Sequence, residues 1–275
     1  MTPFARIASA LLLCTSFATA QAGDTTAPLQ PALPFATDEG MARLARASAK
    51  ADFATLANQF EAQSNIAFCG PTSAAIVLNA LFAGSPGLPR DHSRLKPHDL
   101  DHLNAGLELA VPRFTQDNVI KRGHKTRAQV LGAPIVVAGK SVRSGGYQLR
   151  EFDEMLRANG VQTELTVVAD NLPDDAIRAA LRDNLARAGD YVIVNYQREA
   201  LGQRGGGHLS PLGAYDAQSD SFLILDVNPA VAGWVWIGTA DLACGMRSRD
   251  VLENRGYIQI RLRANAASPS PTTEH

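Results

Sequence analysis

The run Thr72–Phe82 (TSAAIVLNALF) constrains this chain more than any other segment. As a helix it is apolar nearly all round, so it has no face to give to water and must lie inside a domain with other elements wrapped about it. Periodicity supplies the wrapping. Residues 41–62 space Ala and Leu at three and four and read as helix. Leu149–Ala158 is amphipathic and closed by Gly160. Pro173–Ala188 carries acidic residues in its first turn and Arg187 in its last, as the helix dipole favours. Ala240–Leu252 is a further helical stretch. Strand patterns occupy Val161–Val168, Tyr191–Tyr196, His208–Tyr215, Phe222–Val227, Trp234–Ile237 and Tyr257–Leu262. A helical lobe followed by a mostly antiparallel sheet lobe is an α+β architecture.

The ends of the chain read differently from its middle. MTPFARIASALLLCTSFATAQAG combines Arg6, an apolar run Ile7–Phe17 and small residues at Ala18, Ala20 and Ala22. That is the layout of a secretory signal peptide with an A-x-A cleavage site. Residues 1–22 are therefore expected to be cut off, after Ala20 or Ala22, and the protein exported to the periplasm or secreted. Residues 23–39, rich in Thr, Pro and Ala, read as a linker, and 264–275 as a disordered tail, which leaves 40–263 as one domain. The chain as a whole is 45% hydrophobic, enough for that domain to bury a sizeable core. The 26 basic against 27 acidic side chains of the whole chain leave no cationic surplus for nucleic acid. After the signal, no segment has the roughly 18 unbroken apolar residues of a membrane span.

Removal of the signal takes Cys14 and leaves Cys69 and Cys244. In an oxidising compartment the two could form a disulfide, or one could be a reactive thiolate. Cys69 lies in the loop Asn65–Pro71, immediately before the apolar helix. There the helix dipole and unpaired backbone N–H groups would stabilise a thiolate, although a small buried hydrophobe would also suit the position. His208 and Asp226 lie on strand-like runs joined by the turn Asp216–Asp220. In a hairpin centred on Ala217 each is nine residues from the centre, which would make them cross-strand neighbours on one face. A carboxylate there would orient the imidazole for a Cys-His-Asp mechanism. A register slip of one residue would undo the pairing. The glycines Gly205–Gly207 would let the backbone approach a ligand, or would simply be a flexible loop.

Further candidates have both a chemical and a plain reading. Gln63, six residues before Cys69, could join the Cys69 N–H as an oxyanion donor, or be a surface glutamine. Arg198 and Arg255 could clamp a carboxylate, or be solvated cations. His98 and His102 are spaced i, i+4, with Asp99 and Asp101 beside them and His92 upstream, a spacing known from zinc sites. Without a cysteine or HExxH-type partner, and among Arg94, Lys96 and Pro97, they read as an exposed loop, and no metal site is assigned.

The segment Gln63–Ser73 (QSNIAFCGPTS), followed by AAIVLNAL, resembles the nucleophile region of the phytochelatin synthases, a papain-like family. Asn195–Val227 resembles that family's His/Asp segment, and Phe114–Asn118 and Val130–Gly132 resemble its middle region; the resemblance covers residues 40–262. It implies a papain-like cysteine-protease fold with Cys69 as nucleophile, His208 as base and acid, Asp226 as its orienter and Gln63 as oxyanion donor. Arg198 and Arg255 fall where the family holds the γ-glutamyl end of glutathione. The implied reaction is attack of Cys69 on the Cys–Gly amide of glutathione with release of glycine. The γ-glutamylcysteinyl group then passes to water or to a second glutathione, as in a γ-glutamylcysteinyltransferase with hydrolase activity. No built-in cofactor is implied; cadmium or zinc would enter as a glutathione thiolate complex. The partner implied is glutathione, with no nucleic acid, no membrane after signal cleavage, and a homodimer left open.

Two departures bear on acceptor choice. Val227–Trp234 is shorter than the family's basic, aromatic stretch there, which puts chain extension in question. The sequence also reads as the short bacterial type, without the cysteine-rich C-terminal domain of plant enzymes, so hydrolysis is expected to dominate. Two other readings stand beside this one. The first is a periplasmic papain-like peptidase or amidase acting on other peptides. The second is an exported metal- or thiol-binding protein with a Cys69–Cys244 disulfide.

Overall fold

A computed structural model describes residues 31–263 apart from positions 87, 102, 105 and 138. The expected signal peptide, the first part of the linker, His102 and the C-terminal tail lie outside the described residues.

The elements run β1 (Leu33–Pro34), α1 (Asp38–Arg46), α2 (Phe53–Asn58), α3 (Cys69–Leu81), α4 (Arg127–Val130), β2 (Ile135–Val137), β3 (Lys140–Val142), α5 (Leu149–Ala158), β4 (Val161–Val167), α6 (Asp174–Leu185), β5 (Asp190–Gln197), β6 (Gly207–Asp216), β7 (Ser221–Leu225), β8 (Trp234–Gly238), α7 (Thr239–Arg247) and β9 (Gly256–Leu262). Seven strands form one antiparallel sheet in the order β1-β8-β7-β6-β5-β9-β4, and β2 and β3 make a separate hairpin. This is the expected α+β class. Among the described residues no helix is long and apolar enough to cross a membrane.

The helices do not stand apart as one lobe. Helix α3 packs against β6 and α5 against β4, while α6 and α7 pack against β5. Two apolar clusters result. One joins Ile76, Leu78, Phe152 and Leu156 to Ile193, Leu209 and Ile258. The other joins Ile177, Leu181, Leu242 and Met246 to Val192, Val194 and Phe222. Alternate residues of β5 thus enter different clusters, as the two-residue strand period requires. Strands covered on both faces need apolar residues throughout, which is why β5, β6 and β7 are buried almost end to end.

Helix α3 is central, as its composition demands: every residue from Cys69 to Ala80 is buried. Its few polar side chains are satisfied. Ser73 Oγ donates to the Leu209 carbonyl at 3.0 Å, tying the helix to β6, and Asn79 both donates to and accepts from the Phe114 backbone, at 2.9 and 2.8 Å. Pro71 sits in the first turn, where its missing N–H leaves no intrahelical bond unmade.

Two expectations need correction. The helix expected over 41–62 is broken, because Ala49 leaves the helical path to bridge Tyr215 of β6, whose N–H donates to the Ala49 carbonyl at 2.9 Å. The segment read as linker also contributes to the fold. Leu33 and Pro34 pair with Trp236 and Val235 of β8, and the Phe35 ring lies 5.4 Å from Trp234. The chain then turns so tightly at Gly40 that a Cβ there would overlap the Pro34 and Phe35 carbonyls.

Candidate active site

Cys69 is the first residue of α3, buried, with its sulfur facing β6. His208 is the second residue of β6, and the two side chains hydrogen-bond. Burial pushes the Cys69 thiol up. The His208 imidazole opposes it, helped by the Leu209 and Gly70 N–H groups, and the net position is below the ordinary thiol range. Burial pushes His208 the other way, but its bonds to Asp226 and Cys69 prevail and hold it above its ordinary value. Both shifts favour a thiolate–imidazolium pair.

Asp226, fully buried just after β7, accepts His208 Nε2 at 3.0 Å on Oδ1. An ionised carboxylate can only accept, so Nε2 carries the hydrogen and Nδ1 is left for Cys69. The predicted cross-strand register is not the one observed. The strands pair as Asp216↔Ser221, Tyr215↔Phe222 and Leu212↔Ile224, with a bulge between Leu212 and Ala214. Continued, that register sets Ser210 opposite Asp226, and Ser210 Oγ accepts the neighbouring Val227 N–H at 3.3 Å. His208 is the diagonal neighbour two residues on, still on the same face and within reach of a ring. The bulge moves the partner without separating the pair.

Arg198, only 4% exposed, is not where a substrate clamp would be. Its Nη2 donates to Asp226 Oδ1 at 2.9 Å and its Nη1 lies 2.8 Å from Oδ2. A buried carboxylate needs a cation and a full set of donors. Arg198 supplies the cation, Tyr196 O–H adds a bond at 3.2 Å and the Asn228 N–H another at 2.8 Å. Burial would raise Asp226, but His208 and Arg198 together hold it at about 2. Tyr196 also pairs directly with His208 across β5 and β6, its ring edge-on at 5.7 Å. Its role was not evident in the sequence, because the β5–β6 connection has no turn signature that would set the register.

A cavity of about 290 Å³ opens beside Cys69 and His208, bounded on the sheet side by Asn195, Gly207, Asp250 and Arg255. Ser144–Tyr147 form another wall. Arg255 Nη1 donates to Asn195 Oδ1 and to Asp250 Oδ2, both at 2.9 Å, while its buried Nε has no partner among the described residues. A Cβ at Gly207 would overlap the Arg255 guanidinium, so glycine lets that side chain lie where it does, against the strand. Of the two arginines singled out in the sequence, the structure therefore brings Arg255 to the cavity and places Arg198 behind the His208–Asp226 pair. Asn195, Asp250 and Tyr147 were not singled out; only the folded topology gathers them.

Gln63 does not line this cavity. Its backbone N–H donates to the Val227 carbonyl at 2.8 Å, and its side-chain Nε2 to the Asn65 carbonyl at 2.8 Å. That leaves one amide hydrogen uncommitted. Cys69 and Cys244 are both free thiols, which removes the disulfide reading; Cys244 is exposed on α7. His98, 90% exposed, pairs with Asp101 at 2.9 Å. Among the described residues no three His, Cys, Asp or Glu side chains converge as a metal site would need. A larger depression of about 580 Å³, with Arg94, Lys121 and Arg127 in its walls, has no cysteine or histidine in its lining and shares no lining residue with the first.

The family model described as phytochelatin synthase matches residues 25–96 and 105–257. The match begins inside the segment that the sequence alone suggests is linker. A glutathione gamma-glutamylcysteinyltransferase 1 of Triticum aestivum is 28% identical over 253 residues, covering 88% of this chain and 43% of the relative. One of Lotus japonicus is 30% identical over 238 residues, covering 85% and 41%. A glutathione gamma-glutamylcysteinyltransferase of Schizosaccharomyces pombe is 32% identical over 90 residues, covering 31% and 20%. The chain thus spans less than half the length of these curated relatives.

Proposed function

The chain belongs to the phytochelatin synthase family, and from that premise we propose that it is a papain-like γ-glutamylcysteinyltransferase that also hydrolyses glutathione. The observation that carries this reading is the pairing of Cys69 with His208, in surroundings that favour thiolate and imidazolium, at the edge of a small cavity into which Arg255 reaches. At about 290 Å³ the cavity is at the small end of ligand sites, which run from ~300 to 1,000 Å³, and suits a tripeptide better than an extended peptide.

The steps follow from the placement of the groups. The Cys69 thiolate attacks the carbonyl carbon of the Cys–Gly amide. The oxyanion develops near the N-terminus of α3, where the Cys69 N–H has no intrahelical acceptor, and the free amide hydrogen of Gln63 is its second donor. His208, charged and held by Asp226, gives its proton to the glycine nitrogen as the C–N bond breaks. A γ-glutamylcysteinyl thioester remains on Cys69. Neutral His208 then takes a proton from water, giving γ-glutamylcysteine, or from the α-amino group of a second glutathione, giving the extended peptide. Arg255 holds the carboxylate of the γ-glutamyl end. Arg198 acts through Asp226 and is a positioning residue.

Cadmium or zinc enters, on this reading, as part of a glutathione thiolate complex and therefore as substrate. The N-terminal segment supports export, so on this reading the reaction runs in the periplasm or outside the cell. The test is quantitation of glycine released from glutathione, with and without cadmium, by the wild type and by Cys69→Ser. Glycine released by the wild type alone supports the assignment. Equal release by both, or by neither, contradicts it and turns attention to other peptides.

A further inference from the structure

The cavity wall contributed by the helical side holds a polar group that the reaction outlined above does not use. Tyr147 is 7% exposed, lines the cavity with Cys69, His208 and Arg255, and its buried O–H has no hydrogen-bond partner among the described residues. A buried hydroxyl without a partner costs a folded protein free energy, so its persistence at a cavity wall points to a ligand. The ring cannot easily turn elsewhere. Its orientation is fixed between the Phe152 ring at 6.1 Å and the Lys125 ammonium, 5.4 Å from its centroid. Lys125 is in turn held by Glu151 at 2.8 Å.

The chemistry of the missing ligand can be read from the donors. Three buried polar atoms of residues lining the cavity lack partners: Tyr147 O–H, Asn195 Nδ2 and Arg255 Nε. All three are donors. Asn195 Oδ1 and Asp250 Oδ2 already accept from Arg255 Nη1, and Asp250 Oδ1 accepts the Val251 N–H. A site with donors to spare takes a group made of acceptors, and a carboxylate is the simplest. Burial and the Glu151 charge raise the phenol above its ordinary range, so it stays protonated and able to donate.

We propose that Tyr147 is a substrate-binding residue, whose phenolic O–H donates a hydrogen bond to a carboxylate of the γ-glutamyl acyl end from the wall that the sheet residues do not form. The assignment rests on the glutathione reading for the identity of the acyl group. It makes recognition two-sided, with a charged guanidinium from the sheet and a neutral phenol from the loop before α5.

The test separates binding from folding and from turnover. S-methylglutathione, which keeps the acyl end but has no free thiol, is titrated calorimetrically into Cys69→Ser and into Cys69→Ser with Tyr147→Phe. Loss of one hydrogen bond to a charged group weakens binding about tenfold. The melting temperature stays the same or rises, because Phe removes a hydroxyl that has no partner in the free protein. A residue needed only for structure would give the reverse, a lower melting temperature and equal affinity. Equal affinities, including no binding in either, or a destabilised Tyr147→Phe, overturn the proposal. Glycine release by the wild type is scored separately: its absence overturns the glutathione reading and leaves the calorimetric comparison standing.

Discussion

Arg198→Met distinguishes the role the fold gives this arginine from the role its sequence position suggests. The substitution keeps the aliphatic stem and removes the guanidinium. Asp226, fully buried, then loses two of its charge-assisted bonds, at 2.9 and 2.8 Å, and keeps only His208, Tyr196 O–H and the Asn228 N–H. Removing one partner of a buried ion pair costs about 3–5 kcal/mol; with three donors left, the lower end applies. In a domain of this size each kcal/mol is worth about 2–4 °C, so the melting temperature should fall by roughly 6–12 °C. Asp226 also rises from its position near 2, because one of the two groups holding it down is gone. The carboxylate also loses the anchor that aims it at His208 Nε2, so the imidazole is less well positioned and kcat falls. Thermal unfolding and steady-state kinetics with glutathione read both effects. A substrate clamp would behave differently: stability unchanged, kcat preserved, KM raised. That result would refute the account of Arg198.

Three further outcomes follow from the same contacts. Asp226→Asn, which leaves the shape of the site but withdraws the negative charge that fixes the His208 tautomer, should lower kcat by about 10³–10⁴-fold while S-methylglutathione still binds; turnover near normal would contradict this. Iodoacetamide labelling of Cys69 should persist below the pH at which an ordinary thiol ionises, because His208 stabilises the thiolate. With His208→Asn only the Leu209 and Gly70 N–H groups still oppose burial, and the labelling limb moves up in pH. Finally, Asp226 ionises at about 2 in the folded state, below its ordinary 3.8, so its contribution to stability is complete above about pH 4 and is lost as the pH falls towards 2. That contribution is about 2 kcal/mol, and it should disappear from acid unfolding curves in Asp226→Asn.

The parts of this protein legible in its sequence are those in which a local pattern decides the outcome. Helix α5 has the predicted bounds because its apolar stripe is closed by Gly160. Helix α3 is buried because no face of it could be anything else. Cys69 and His208 come together because one begins that helix and the other begins the strand beneath it. What the sequence conceals depends on distant partners. The helix expected over 41–62 yields to a bridge with Tyr215, more than a hundred residues away. The hairpin arithmetic misses a bulge at Gly213, where a Cβ would press on Leu225 and Phe53. Arg198 looks like any cation until the fold sets Asp226, 28 residues later, against it. The unpartnered hydroxyl of Tyr147 appears only after every other hydrogen bond has been placed.

The central claim is that Cys69 is acylated by the γ-glutamylcysteinyl half of glutathione. Mass spectrometry of the protein, quenched in acid within its first turnovers with glutathione, tests that claim most directly. The account predicts a γ-glutamylcysteinyl adduct on the peptide containing Cys69, with at least one glycine released per adduct, and no adduct in Cys69→Ser. Glycine release with the Cys69 peptide unmodified throughout, or an adduct that survives in Cys69→Ser, would contradict it.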